Sequence, residues 1–217
     1  MFAMTSKRIL AILIIALTIG ASLLLYTRLP AELAAHWNVV GQADGTMSRT
    51  WGVATLPLIM ICVLLLFYAL PAFDPLQKNM ETVKIRVDTF LVAMMLFLAY
   101  LQALILIWNL GTHFDMTRWL IPGLALLFFA MGWCMVGLKQ NWFFGIRTPW
   151  TLQDESVWDE THRLGGRAFE GAAVAMLIDL LLPPTYAIWV ILIPLLGAAL
   201  YSVVLSYILY QKKHPSI

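Results

Sequence analysis

The chain has 217 residues, of which 61% are hydrophobic and 12% charged, with a formal net charge of +2. A soluble domain carries about 25% charge. Too few polar side chains remain to cover a water-exposed surface, so lipid must be part of the solvent and a soluble globular domain is excluded.

A membrane-spanning helix needs roughly 20 mostly apolar residues. The first such run, Ile9 to Tyr26, follows Lys7 and Arg8 and is long for a cleaved signal, so it reads as an uncleaved anchor. The second, Trp51 to Phe73, contains Pro57 and Pro71, which membrane helices tolerate when neighbours satisfy the freed carbonyls. Thr89 to Leu110 and Trp119 to Leu138 are the third and fourth. The fifth, Gly165 to Leu182, is interrupted by Arg167, Glu170 and Asp179 and closed by Pro183 and Pro184. The sixth, Tyr186 to Tyr210, is uncharged. Cys62 and Cys134 lie inside apolar runs and read as small buried residues rather than a disulfide framework.

The expected fold is thus an all-α polytopic membrane helix bundle of about six transmembrane helices. With a cytoplasmic N-terminus, 11 of the 14 Lys and Arg fall on the inner side and only Arg28, Arg49 and Arg118 on the outer. The positive-inside rule then places both termini in the cytoplasm. Tyr26, Trp51, Trp119, Tyr186 and Tyr210 sit at span ends, where amphipathic rings favour the headgroup layer.

Two connecting segments carry more than connection. The outer one, Thr27 to Thr50, contains His36-Trp37-Asn38, then Gly41, then Asp44-Gly45. Asp-Gly favours a tight turn. The segment reads either as a compact cap on the bundle, with Trp37 in the interface, or as a recognition surface offering hydrogen bonds from His36 and Asn38. One His and one Asp do not make a metal-ligand set.

The inner segment, Lys139 to Arg167, contains Asn141, Trp142, Phe143, Phe144, Gly145, Ile146, Arg147, Thr148, Pro149, Trp150 and Thr151 in succession. Thr151 with Asp154 resembles a capping box, and Thr148 before Pro149 is an alternative N-cap. A helix from about Leu152 would set Asp154, Trp158 and His162 on one face and pair Asp159 with Arg163 on another. Such a helix either lies in the inner interface, with Trp158 among the headgroups, or presents a docking platform to a cytosolic partner. Of the intramembrane acids, Glu170 has Arg167 one turn away as a local ion partner, and Asp179 is expected near the outer interface with partial hydration.

The stretch from Leu29 to Gly45 resembles the small membrane domain of unknown function that often precedes the SdpI domain. The run Asn141 to Leu152, followed by Trp158, His162, Gly165, Gly166 and Gly171, resembles the core of the SdpI family of bacterial membrane proteins. The resemblance covers most of the chain and divides it into residues 1–75 and 76–217. For the family namesake it implies two activities: protection from a secreted peptide toxin outside, and membrane capture of a cytosolic repressor inside. The implied partners are therefore the lipid bilayer, a peptide toxin and a repressor, with no cofactor, no metal and no direct nucleic-acid binding. A small-solute or ion transporter, or a scaffold with neither activity, are the alternatives. No Ser-His-Asp, Cys-His or metal-ligand arrangement supports an enzyme.

Reporter fusions after Leu110, Leu138 and Ile217 test the topology. The expected order is outside, inside, inside, and an outward C-terminus contradicts it.

Overall fold

A computed structural model describes residues 4–38, 41–183 and 186–215. Seven helices appear among them: α1 (Ser6–Leu25), α2 (Arg49–Ala69), α3 (Gln77–Asn109), α4 (Met116–Met135), α5 (Pro149–Gln153), α6 (Glu155–Met176) and α7 (Ala187–Lys213). A hairpin of β1 (Glu32–Trp37) and β2 (Ala43–Ser48) lies between α1 and α2. Five helical segments are long and apolar enough to cross a membrane: α1, α2, Thr82–Asn109 of α3, α4 and α7, the first two extended by 3₁₀ turns.

The fold is the expected helical membrane bundle, with one difference in how its fifth span is made. The platform helix and the interrupted span are a single helix, α6, which packs between α4 and α7. It is too polar to count among the five, yet its small residues fit it into the bundle. A Cβ on Gly132 of α4 would stand 2.5 Å from the Gly166 carbonyl oxygen, and one on Gly166 would stand 2.6 Å from the Gly132 carbonyl oxygen. The two backbones therefore touch at a glycine-glycine crossing, as membrane helices do where small residues permit. On the α7 side, a Cβ on Gly165 would meet the Ser202 hydroxyl at 2.7 Å. The charged side chain of Arg167 points outward and donates to Glu170 at 2.7 Å, so the local ion pair is present. Pro184 lies outside the described residues.

α1, α2 and α3 form a second group, and α3 also packs on α4. Arg8 and Asp88, 80 residues apart, meet in this group through a buried 2.8 Å contact from Nε to Oδ1. The Thr5 hydroxyl donates to the other Asp88 oxygen, and the Tyr68 ring lies 4.3 Å below the Arg8 guanidinium. On α7, Lys213 donates to the Ser156 hydroxyl, and His214 pairs with Asp154. Asp74, just before α3, accepts from the Trp142 amide of the inner segment. These contacts gather both ends of the chain at one end of the bundle.

Replacing one member of a buried ion pair leaves an uncompensated charge, at a cost of about 3–5 kcal/mol. Arg8→Met is expected to lower the thermal midpoint of the purified protein sharply, and Arg8→Met with Asp88→Leu to recover most of it. Equal losses in the single and double variants would show that the pair does not hold α1 to α3.

Candidate functional site

At the end of the bundle away from the chain termini, the hairpin closes over α2 and α3. Leu33 is fully buried among Leu29, Val53 and Leu106, and Gly52 leaves it room, since a Cβ there would collide with it. Asn109, at the end of α3, donates to the Ala34 carbonyl at 3.0 Å and accepts from the Ala34 amide at 2.8 Å. One side-chain amide thus mimics a neighbouring strand.

The chain does not reverse at Asp44-Gly45, which lie in β2; Gly45 packs across from His36. It reverses between Asn38 and Gln42, where Asn38 accepts from the Gln42 amide through its side chain and from the Gly41 amide through its carbonyl. Gly41 takes a φ of +77°, and a Cβ there would stand 2.6 Å from an Asp115 oxygen, so glycine is required twice over. Asp44 instead faces His36 Nδ1, and this pair is exposed, the imidazole by 73%. Trp37 packs edge-on against Trp108 at 5.5 Å, and its indole nitrogen is buried without a hydrogen-bond partner among the described residues. The outer motif therefore supplies a docked frame with a polar pair on its surface.

The inner segment is locked more deeply. Asn141 is fully buried; its Oδ1 accepts from the amides of Phe143 and Phe144, and its Nδ2 donates to the Lys139 carbonyl. Phe144 packs on Phe67 at 5.2 Å. Gln140 donates to the carbonyls of Thr151 and Leu152. Of the two possible N-caps, Thr148 caps α5, with Pro149 at the first position and Thr151 returning the bond in a capping box. Thr148 also bonds Ser206 at 3.0 Å, and Trp150 packs on Tyr207 at 5.0 Å, so both tie the segment to α7.

Asp154 does not share a face with Trp158. It caps α6, accepting from the amides of Ser156 and Val157, and its carboxyl is held well below the usual range first by the Ser156 hydroxyl and then by His214. Asp159 pairs with Lys139 at 3.1 Å and Arg163 with Glu160 at 3.7 Å, so the expected Asp159–Arg163 pair is replaced by partners that each acid or base can reach more directly.

Trp158 is not a headgroup anchor. It is completely buried, its indole N–H donates to the Leu138 carbonyl at 2.6 Å, and its ring stacks on His162 at 4.0 Å. His162, also buried, accepts from the Ile146 amide through Nε2 at 2.9 Å, and its Nδ1 faces the Trp158 carbonyl at 2.8 Å. These contacts require the neutral ring with the proton on Nδ1. Gly145 has a φ of +98°, and a Cβ on it would run into His162 Nε2. Arg147 is exposed and donates to the Trp142 carbonyl.

Asp179 differs from expectation: it is fully buried in a 3₁₀ turn at Leu177–Leu181, and among the described residues neither carboxylate oxygen has a hydrogen-bond partner. Nearby, Arg118 donates to the Leu182 carbonyl. Among the described residues no cluster of three or more His, Cys, Asp or Glu side chains could hold a metal ion. Sequence reasoning missed Asp74, Asn109, Gln140 and Ser206 as parts of these two ends. Asn109 carried a signal as a polar residue at the end of an apolar span; the other three had none.

The fold and these two ends define a multi-pass helical membrane protein with a docked hairpin at one end and a hydrogen-bonded re-entry at the other. Residues 137–208 match the SdpI/YfhL protein family and residues 13–61 match a domain of unknown function, DUF1648. The C-terminal part of the chain is thus an SdpI-family domain, preceded by a DUF1648 domain. The chain is 27% identical over 210 residues to the immunity protein SdpI of Bacillus subtilis (strain 168), covering 97% of this chain and 99% of that one. No solved structure matches.

Burial is the main cause pushing the His162 ring down to about 4 from its ordinary 6.5. The folded state then refuses a proton that the opened state accepts, so stability is full above about pH 6.5 and falls as pH drops toward 4, by on the order of 3 kcal/mol. Thermal unfolding in detergent between pH 7.5 and 4.5 is expected to show this decline. His162→Leu should be less stable at neutral pH and lose most of the slope; an unchanged slope would assign the effect to another group.

Proposed function

We propose that this protein protects its cell against a secreted, membrane-active peptide, and that it does so as a non-enzymatic resistance protein of the bacterial plasma membrane. The observation that carries this reading is the likeness to an immunity protein over almost the whole length of both chains. In this reading both termini are cytoplasmic, which puts the hairpin outside and the 139–167 segment inside. The division at about residue 75 then separates a part that carries the outer hairpin from a part that carries the inner segment.

The two ends suit different tasks. The outer end offers the exposed His36–Asp44 pair on a frame fixed by Leu33 and Asn109, which is the form of a recognition surface whose ordering cost is already met. The inner end offers exposed charge on α6, including Glu155, Asp159 and Arg163, on a platform held by Trp158 and His162. Such a platform could retain a cytosolic repressor while the outer end is engaged. Arg147 donates to a carbonyl, that of Trp142, and not to a carboxylate, which leaves guanidinium donors for a partner or a lipid phosphate.

Cells expressing the chain are expected to survive a panel of secreted antimicrobial peptides better than cells without it. His36→Ala with Asp44→Asn should remove protection from the effective peptide while membrane abundance stays unchanged. Arg147→Ala should do likewise if the inner end takes part. Survival equal with and without the protein across the panel, together with solute flux in reconstituted vesicles, would replace this reading by a transporter.

A further inference from the structure

Beside the inner segment, a cavity of about 250 Å³ opens between α3, α4 and the re-entry. Its walls are Val87, Phe90, Met131, Cys134, Phe144 and Phe169, with others of the same character, and Arg86 is the charged residue among those that line it. Arg86 donates to the Trp133 carbonyl at 3.2 Å, and its guanidinium lies 5.3 Å over the Trp133 ring. Among the described residues no carboxylate stands within ion-pair distance of it. Lys7 reaches across from α1 to the carbonyl of Ile85, the neighbour of Arg86, and to the Thr89 hydroxyl, which brings a second cation to this stretch of α3. Trp133 is half exposed on the outside of α4, as an interfacial ring would be.

We propose that this is a binding site for an anionic phospholipid, its phosphate on Arg86 and Lys7 and the upper part of one acyl chain in the cavity. A guanidinium presents paired N–H donors that match phosphate oxygens, and basic pockets between membrane helices hold acidic headgroups. The cation and the cavity are contiguous, which is what selects a lipid. A free phosphate would use the cations and leave the cavity, whereas a zwitterionic lipid would bring its own ammonium group close to the two basic side chains and lose much of the electrostatic gain. The site is separate from the exposed charges of α6 and does not depend on what the protein defends against.

The test is lipid retention by the purified full chain in detergent, measured by native mass spectrometry. Phosphatidylglycerol and phosphatidylcholine with identical acyl chains are titrated separately, each with and without inorganic phosphate. The expected result is preferential retention of phosphatidylglycerol. Removing one cation near a membrane surface lowers anionic-lipid affinity about fivefold, so Arg86→Gln should cut that preference by about this factor, with a smaller loss for the zwitterionic phosphatidylcholine. Cys134→Phe, which fills the cavity, should weaken retention of phosphatidylglycerol while Arg86 remains. Equal retention of the two lipids by the unaltered protein would overturn the proposal, whatever the variants do. So would a preference untouched by Arg86→Gln, or displacement of the lipid by millimolar phosphate, which would mark a site for free anions.

Discussion

Backbone N–H and C=O groups near hydrocarbon must find partners inside the protein, because lipid offers none. Helices meet this requirement by themselves; the stretch between α4 and α6 cannot. Its hydrogen bonds are supplied instead by side chains drawn from the whole sequence. Asp74 serves the Trp142 amide, Asn79 the Gln140 carbonyl, Trp158 the Leu138 carbonyl, His162 the Ile146 amide and Thr151 the Ile146 carbonyl. The same constraint explains why Asp74, Trp158, His162 and Thr151 are themselves buried. A charged imidazole at position 162 would present an N–H to the Ile146 N–H and break the arrangement it now closes.

That arrangement also gives the inner motif a physical meaning. Asn141 folds the first turn by accepting from two consecutive amides, and Gly145 supplies a left-handed backbone at the point where any side chain would displace His162. Thr148, Pro149 and Thr151 then start a helix of a single turn that hands over to Asp154, the cap of α6. Of the motif's polar residues, Arg147 alone contributes little to this closure, since it stays exposed and bonds one carbonyl. The remainder is framework, and the exposed charge at this end is that of Arg147 and of the polar face of α6.

The helices were legible from apolar runs and the inner cap from Thr148-Pro149, because both signals are local. The hairpin was not. Its strands include Asp44, Gly45 and Ser48, poor strand formers, and they are held by Asn109, more than 60 residues away. The Arg8–Asp88 pair was hidden for the same reason: its members look like ordinary flanking charges until α1 and α3 are side by side. α6 was split by reading Arg167 and Glu170 as interruptions. Its real signature is small residues on two faces, Gly165 toward α7 and Gly166 toward α4, which hydropathy does not register because glycine is not hydrophobic. Trp158 was misplaced because an aromatic beside charges resembles an interface anchor, whereas only the folded chain reveals the carbonyl and the imidazole that enclose it.

The two ends are joined by contacts that run along α4 and α6. Gly41 at the hairpin turn lies against Asp115, the cap of α4; Arg118, one turn on, holds the Leu182 carbonyl beside the turn that buries Asp179. That turn continues directly from α6, whose other end carries His162 and Trp158. A ligand on the hairpin affects the inner face only if it favours one arrangement of these contacts over another. Along these contacts the buried Asp179 carboxylate is the polar group left least satisfied. Among the described residues it has no hydrogen-bond partner, and burying a carboxyl unmatched costs free energy. The Leu177–Leu181 turn and the His162 platform are therefore linked through one helix, α6, which Gly132 and Gly166 hold directly against α4.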